Sequence, residues 1–200
     1  QKHLCRLVSR IDKKKFDVSI CILSNKKYDL VNCLKDIEIF YLGLTKIYNW
    51  DAIRKMKKFS KAIRKYDIIH TYLLCSNVYG AIAGRLAGVK VIGTRRSITD
   101  VVSLDRRKIK RELRWYRWTN NIVSKIICVC DAIKKRVVEK EKAKHRKVLT
   151  IQNGIDISKF DKIKKLKLKG AVVGTVTHLT RTKDVFTFVE AAKIVGDKEK

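Results

Sequence analysis

Two hundred residues, 46% hydrophobic and 34% charged, are enough for one good core and describe a globular chain, not a disordered one. No apolar run approaches the ~18 to 20 residues that a membrane-spanning helix needs, and Gln1-Lys2-His3-Leu4 carries neither an initiator Met nor a signal-peptide core. The 48 Lys and Arg outnumber 19 Asp and Glu, and a net charge of +29 favours anionic partners: nucleic acid, anionic lipid or phosphate-bearing substrates.

In chain order, Leu4, Leu7, Val8 and Ile11 recur at helical spacing and run into the charged turn 12–15. Residues 16–23 and 37–42 read as buried strands. From Asp51, a first-turn acid or cap, Ile53, Met56, Phe59 and Ile63 mark one face of a basic helix. A short strand, 67–70, precedes a small-residue helix, 78–87, stopped by Gly88. Strand 89–94 leads through an irregular stretch to a long helix, 105–124. Strand 125–129, helix 131–139 and strand 148–151 follow. A lysine-rich bridge near 159–169 then separates these from a fresh strand, 172–176, and a fresh helix, 184–195.

Strands alternating with amphipathic helices predict an α/β fold with a doubly wound, mostly parallel Rossmann-like sheet. The bridge divides it into a domain at 1–160, a linker at 161–170 and the opening of a second Rossmann-like domain at 171–200. Those last residues fall far below the size of an independent domain, which predicts that the chain is a piece of something longer. Cys5, Cys21, Cys33, Cys75, Cys128 and Cys130 lie mostly in apolar runs with no zinc-type spacing. A reducing, cytoplasmic setting fits them best.

Four motifs, in order, carry a resemblance. They are Asp67-Ile68-Ile69-His70 with the Gly80 to Val89 helix end, and Ser124-Lys125-Ile126-Ile127-Cys128-Val129-Cys130-Asp131. Ile151-Gln152-Asn153-Gly154-Ile155-Asp156 and Val173-Gly174-Thr175-Val176 through Asp184 complete the set. Together they resemble the family-4 retaining glycosyltransferases of GT-B fold, over nearly the whole chain. The resemblance implies an acceptor-side domain joined to the first strand and helix of the donor-side domain. It also implies a first strand before Gln1 and a paired-glutamate motif beyond Lys200. The nucleotide-sugar, UDP- or GDP-linked, is then a substrate, with no resident cofactor and no metal in the chemical step.

Lys183 matches the family lysine that, with an arginine, holds the donor diphosphate; a leaving diphosphate gains negative charge and needs a cation. His178 occupies the arginine position, a weaker cation at neutral pH, and Arg181 could compensate. The alternative is that all three decorate an exposed loop. Gly174 would permit close backbone approach to the ligand, and Asp184, where the family has glycine, reads as a helix cap.

His70 ends a parallel strand, where ligands collect in open α/β sheets. The family's second histidine, near the reacting sugar, is here Tyr72, which can still donate a hydrogen bond. Packing roles for His70 and Tyr72 weigh equally. Arg95 and Arg96, with Ser97, could hold an acceptor phosphate bidentately, or form a solvated loop pair. Asn153, Gly154 and Asp156 read as the interdomain hinge, Asn-Gly suiting positive φ and a tight reversal.

The stretch 106–118 is dense in Arg, Lys, Trp and Tyr. It could lie on an anionic membrane at the inner face of the plasma membrane, while Ile109, Leu113, Tyr116 and Asn120 share a face that could pack on the sheet. The expected function is sugar transfer with retention to a cell-envelope glycan or lipid-linked acceptor, with this chain inactive alone. The alternative is a basic module that binds nucleic acid or anionic membrane without catalysis. Nucleic acid is the weaker partner, because no zinc-finger, RNA-recognition or helix-turn-helix pattern is present. No Gly-x-Gly-x-x-Gly turn supports a dinucleotide oxidoreductase.

Overall fold

The computed structural model describes residues 2–25, 34, 37–44, 50–97, 105–161, 172–180 and 183–198. Its contacts divide the chain into two compact units, one holding the described residues up to Asn153 and the other those from Gly154 onward.

The first unit runs α1 (Lys2–Arg10), β1 (Ser19–Ile22), β2 (Glu38–Tyr41), α2 (Trp50–Ala62), β3 (Ile68–Tyr72), α3 (Leu73–Ala87) and β4 (Lys90–Arg95). It continues with α4 (Arg106–Ile122), β5 (Lys125–Cys128), α5 (Asp131–Glu139) and β6 (Val148–Thr150). Every strand pairing is parallel, as the alternation of strand and helix requires. Strands β3, β4, β5 and β6 lie side by side in chain order, with Tyr72 opposite Thr94, Arg95 opposite Cys128, and Cys128 opposite Thr150. The chain leaves these strands at one common carboxyl rim.

Strands β1 and β2 were expected in the same sheet; among the described residues they pair only with each other. Side chains just before β3 reach the β1–β2 pair instead. The Tyr66 hydroxyl donates to Ser19 Oγ at 2.8 Å, Ser19 donates to Glu38 at 3.2 Å, and Lys65 Nζ lies 3.7 Å from the same carboxylate.

Val91, Val123, Ile126, Cys128, Ile133, Val137 and Val148 form the central core. Burial raises the Cys128 thiol to about 11, the behaviour of a small hydrophobe. Met56, Ile63, Tyr79 and Ala83 join α2 to α3 in a second cluster, and Val8, Ile20 and Leu34 form a third. Helix α3 begins at Leu73, before its expected start at 78, and ends at Gly88, whose left-handed φ of 76° favours glycine.

Helix α3 lies close on the sheet because its facing residues are small. A Cβ on Gly84 would run into Val91 Cγ2 and approach the Val89 carbonyl oxygen at 3.0 Å. Gly84→Val is therefore expected to cost about 1–3 kcal/mol by overpacking, read as a lower urea midpoint.

Helix α4 is closed at both ends by side chains. Asp105 accepts from the backbone N–H groups of Arg107 (2.8 Å) and Lys108 (3.2 Å). At the other end Lys147 Nζ donates to the carbonyls of Asn120 (3.0 Å), Asn121 (3.3 Å) and Val123 (2.8 Å), placing a cation where the helix dipole is negative.

The second unit contains α6 (Ser158–Asp161) and α7 (Val185–Lys198). The strand expected at 172–176 is not formed: residues 172–178 have no regular structure, and Val173 and Val176 are exposed. A parallel strand needs a neighbour for its N–H and C=O groups, and no described strand pairs with this run. Most of the lysine-rich bridge, residues 162–170, lies outside the described residues.

Candidate functional site

The carboxyl rim of the four-stranded sheet gathers the ends of β3 and β4 and the segment after β6. His70 and Tyr72 are two apart on β3, so their side chains leave the same face. Their ring centroids are 4.5 Å apart, tilted by 31°. His70 Nε2 lies 2.6 Å from Thr94 Oγ1, and its Nδ1 lies 3.3 Å from the Tyr72 hydroxyl. Although His70 keeps an exposed edge, desolvation of the ring, with the His3 charge as a lesser cause, pulls its pKa down to about 4. The imidazole is neutral at physiological pH. Burial raises the Tyr72 phenol, an effect that the Arg96 charge opposes.

Thr71, on the opposite face of β3, donates to Asn77 Oδ1 at 2.8 Å. The fully buried Asn77 in turn donates to the Leu73 carbonyl at 2.6 Å. The turn that carries Tyr72 is thereby pinned, although Leu73 is left-handed at φ 70°. Such strained backbone persists where surrounding structure holds it, often beside functional sites.

Arg95 and Arg96 part company. Arg95 is 2% exposed, its Nε donating to Glu141 at 3.0 Å and its Nη2 to Asn120 Oδ1 at 2.8 Å. Its guanidinium lies 4.1 Å from the Tyr116 ring centroid, and Asn120 Nδ2 donates to the Glu141 carbonyl at 3.1 Å. The phosphate-binding role expected for Arg95 is thus corrected: a group enclosed by a carboxylate, an amide and an aromatic face does not face a ligand. Arg96 is half-buried and Ser97 exposed at the strand end. The Arg96 charge, after desolvation, lowers the pKa of His3, so the start of α1 stands within electrostatic reach of this rim.

Asn153 follows β6 at the same rim and is exposed. Neither it nor Gly154 has positive φ, and no atom crowds Gly154, so the tight Asn-Gly reversal is not formed. Asp156 accepts from the Ser158 hydroxyl at 2.8 Å, at the start of α6.

In the second unit, the Thr180 N–H donates to the His178 carbonyl at 2.8 Å and the Lys183 N–H to the Thr180 carbonyl at 2.9 Å. These bonds tie His178 and Lys183 to Thr180, and both are exposed. Arg181 lies outside the described residues. A Cβ at Gly174 would meet no described atom within 4 Å, so the backbone there is open. Asp184 has a left-handed φ of 46° and accepts from the Thr187 hydroxyl at 2.8 Å. This explains why a glycine also suits that position.

Sequence reasoning placed Asn120 on a packing face of α4 but missed Thr94, Asn77 and Glu141. Each is a polar residue whose burial depends on partners far along the chain, a signal that periodicity does not carry.

Residues 1–159 match the model of Glycosyltransferase Family 4. A curated relative, the Escherichia coli UDP-Gal:alpha-D-GlcNAc-diphosphoundecaprenol alpha-1,3-galactosyltransferase, is 26% identical over 214 residues, covering 94% of this chain and 54% of that protein. The chain thus spans about half the length of that relative. Anabaena Alr3699/HepE in complex with UDP and glucose superposes with a TM-score of 0.60 at 18% identity, over 78% of this chain and 41% of that chain. A glycosyltransferase from Rickettsia africae ESF-5 gives 0.52 at 20% identity, over 74% and 38% respectively. These structures share the fold, the GT-B type α/β arrangement. With its model matched across all of the first unit, the chain belongs to Glycosyltransferase Family 4.

Proposed function

We propose that this chain provides the acceptor-side domain and the opening of the donor-side domain of a retaining glycosyltransferase. Its donor would be a UDP- or GDP-linked sugar and its acceptor a cell-envelope glycan or lipid-linked intermediate. The observation that carries this reading is that His70 and Tyr72 are in contact at the carboxyl rim along which Arg96 and Asn153 also leave their strands, where ligands collect in open α/β sheets. The Escherichia coli relative, named for a UDP-sugar donor and a diphosphoundecaprenol-linked acceptor, supports UDP and a lipid-linked acceptor.

In this reading Lys183, with His178 and Arg181, meets the charge that grows on the leaving diphosphate, while His70 and Tyr72 stand near the reacting sugar. The protein extended through its continuous reading frame is expected to transfer sugar from a UDP-sugar to a diphosphate-linked lipid acceptor. The 200-residue chain alone is not. Lys183→Ala in the extended protein is expected to weaken UDP binding about 10- to 150-fold, the loss of one charged hydrogen bond. Transfer by the short chain, or unchanged UDP affinity in the variant, contradicts these assignments.

A second surface supports a peripheral membrane role. Arg107, Lys110, Arg111, Arg114 and Trp118 fall along one exposed stripe of α4. The opposite side carries Tyr116 and Asn120, both turned to Arg95. The two readings of this helix are thus compatible: one face packs while the other offers cations and an indole to anionic headgroups. Among the described residues no helix is long and apolar enough to cross a membrane, so this contact would lie at the surface.

A further inference from the structure

Both ring nitrogens of His70 are engaged within the protein, and Thr94 decides which carries the proton. Thr94 is 4% exposed, and among the described residues the acceptor facing its hydroxyl is His70 Nε2, at 2.6 Å. A buried O–H left without an acceptor costs about 1–3 kcal/mol, so Thr94 donates and Nε2 accepts. The proton of the neutral ring is then on Nδ1, which donates to the Tyr72 oxygen at 3.3 Å. With its oxygen already accepting, Tyr72 keeps its own O–H free to point away from His70.

The backbone that carries Tyr72 is held in place: the Ser76 hydroxyl donates to the Tyr72 carbonyl, and the left-handed Leu73 turns the chain immediately after it. The half-buried Arg96 contributes positive charge at the same rim.

We propose that Thr94 holds His70 as the Nδ1–H tautomer and that His70 aims the Tyr72 O–H at a phosphate oxygen of a diphosphate-bearing ligand. Tyr72 and Arg96 then touch that ligand, and His70 is a positioning residue. The inference rests on reading this rim as the sugar-transfer site. The diphosphate belongs to the nucleotide-sugar or to a lipid-linked acceptor, two sources of the same chemistry.

Long-range 1H–15N spectra of the histidine-labelled chain at neutral pH read the tautomer directly. Nδ1 is expected to be protonated in the wild type and in Thr94→Ser, with a shift towards Nε2–H in Thr94→Val. Tyr72→Phe is expected to bind a diphosphate about tenfold or more weakly. Measured with UDP and with a short prenyl diphosphate, loss confined to the first assigns the donor and loss confined to the second the acceptor. A wild-type ring protonated on Nε2 overturns the proposal. So does a wild type that binds neither probe, or a Tyr72→Phe that binds both unchanged. Sugar transfer by the extended protein stays a separate test, so the enzyme reading can stand while this one falls.

Discussion

Glu141→Ala is expected to destabilise the first unit by about 3–5 kcal/mol, because it strands the Arg95 guanidinium in the interior without its counter-ion. Their side chains are 2% and 8% exposed, and the pair is joined at 3.0 Å. Asn120 and Tyr116 alone cannot replace a carboxylate, and among the described residues the buried Arg95 Nη1 already has no hydrogen-bond partner. A domain of this size has about 5–15 kcal/mol in total, so the variant should sit near its unfolding threshold. Urea denaturation followed by circular dichroism measures the change. The double variant Arg95→Met, Glu141→Leu is the control: with both charges gone, stability should return close to wild type or exceed it. A Glu141→Ala loss below about 1 kcal/mol would mean that the pair is solvated, as surface pairs are.

The second large effect is expected at the outer stripe of α4. Changing Arg107, Lys110, Arg111 and Arg114 to Gln removes four exposed cations of one stripe. At about 1 kcal/mol for each cation near an anionic surface, affinity for anionic vesicles should fall about 10³-fold. Binding of the wild type should weaken steeply with salt and be negligible on neutral vesicles. Circular dichroism should show the helix intact, since Asp105 and Lys147 still close its ends. Equal loss of RNA binding in an electrophoretic shift would favour a general polyanion surface; unchanged vesicle binding in the variant would exclude α4 as the contact.

How far the sequence reached depended on the kind of signal. The helix at 131–139 and the Asp105 start of α4 were legible because a run of apolar residues at helical spacing begins just after an acid in each. The parallel sheet followed from strand-helix alternation. Arg95 and Arg96 were indistinguishable as letters, yet successive residues of a strand point to opposite faces, and only the packed structure shows which is enclosed. Glu141 stood as one acid between Lys140 and Lys142, which reads as surface until Arg95 is seen beneath it. The early start of α3 was hidden because Asn77, a residue usually found in turns, is buried there with its amide bound to backbone. The expected strand at 172–176 failed for another reason: apolar content marks a segment able to pair, but pairing also needs a neighbour.

The arrangement of β3, β4, β5 and β6 in chain order has a consequence for synthesis. As the polypeptide emerges from the ribosome, each new strand finds its hydrogen-bonding edge already displayed by the strand before it. The intervening helix spans the only loop that must close. Assembly can therefore advance vectorially, one strand-helix repeat at a time, with little exposed edge waiting for a distant partner.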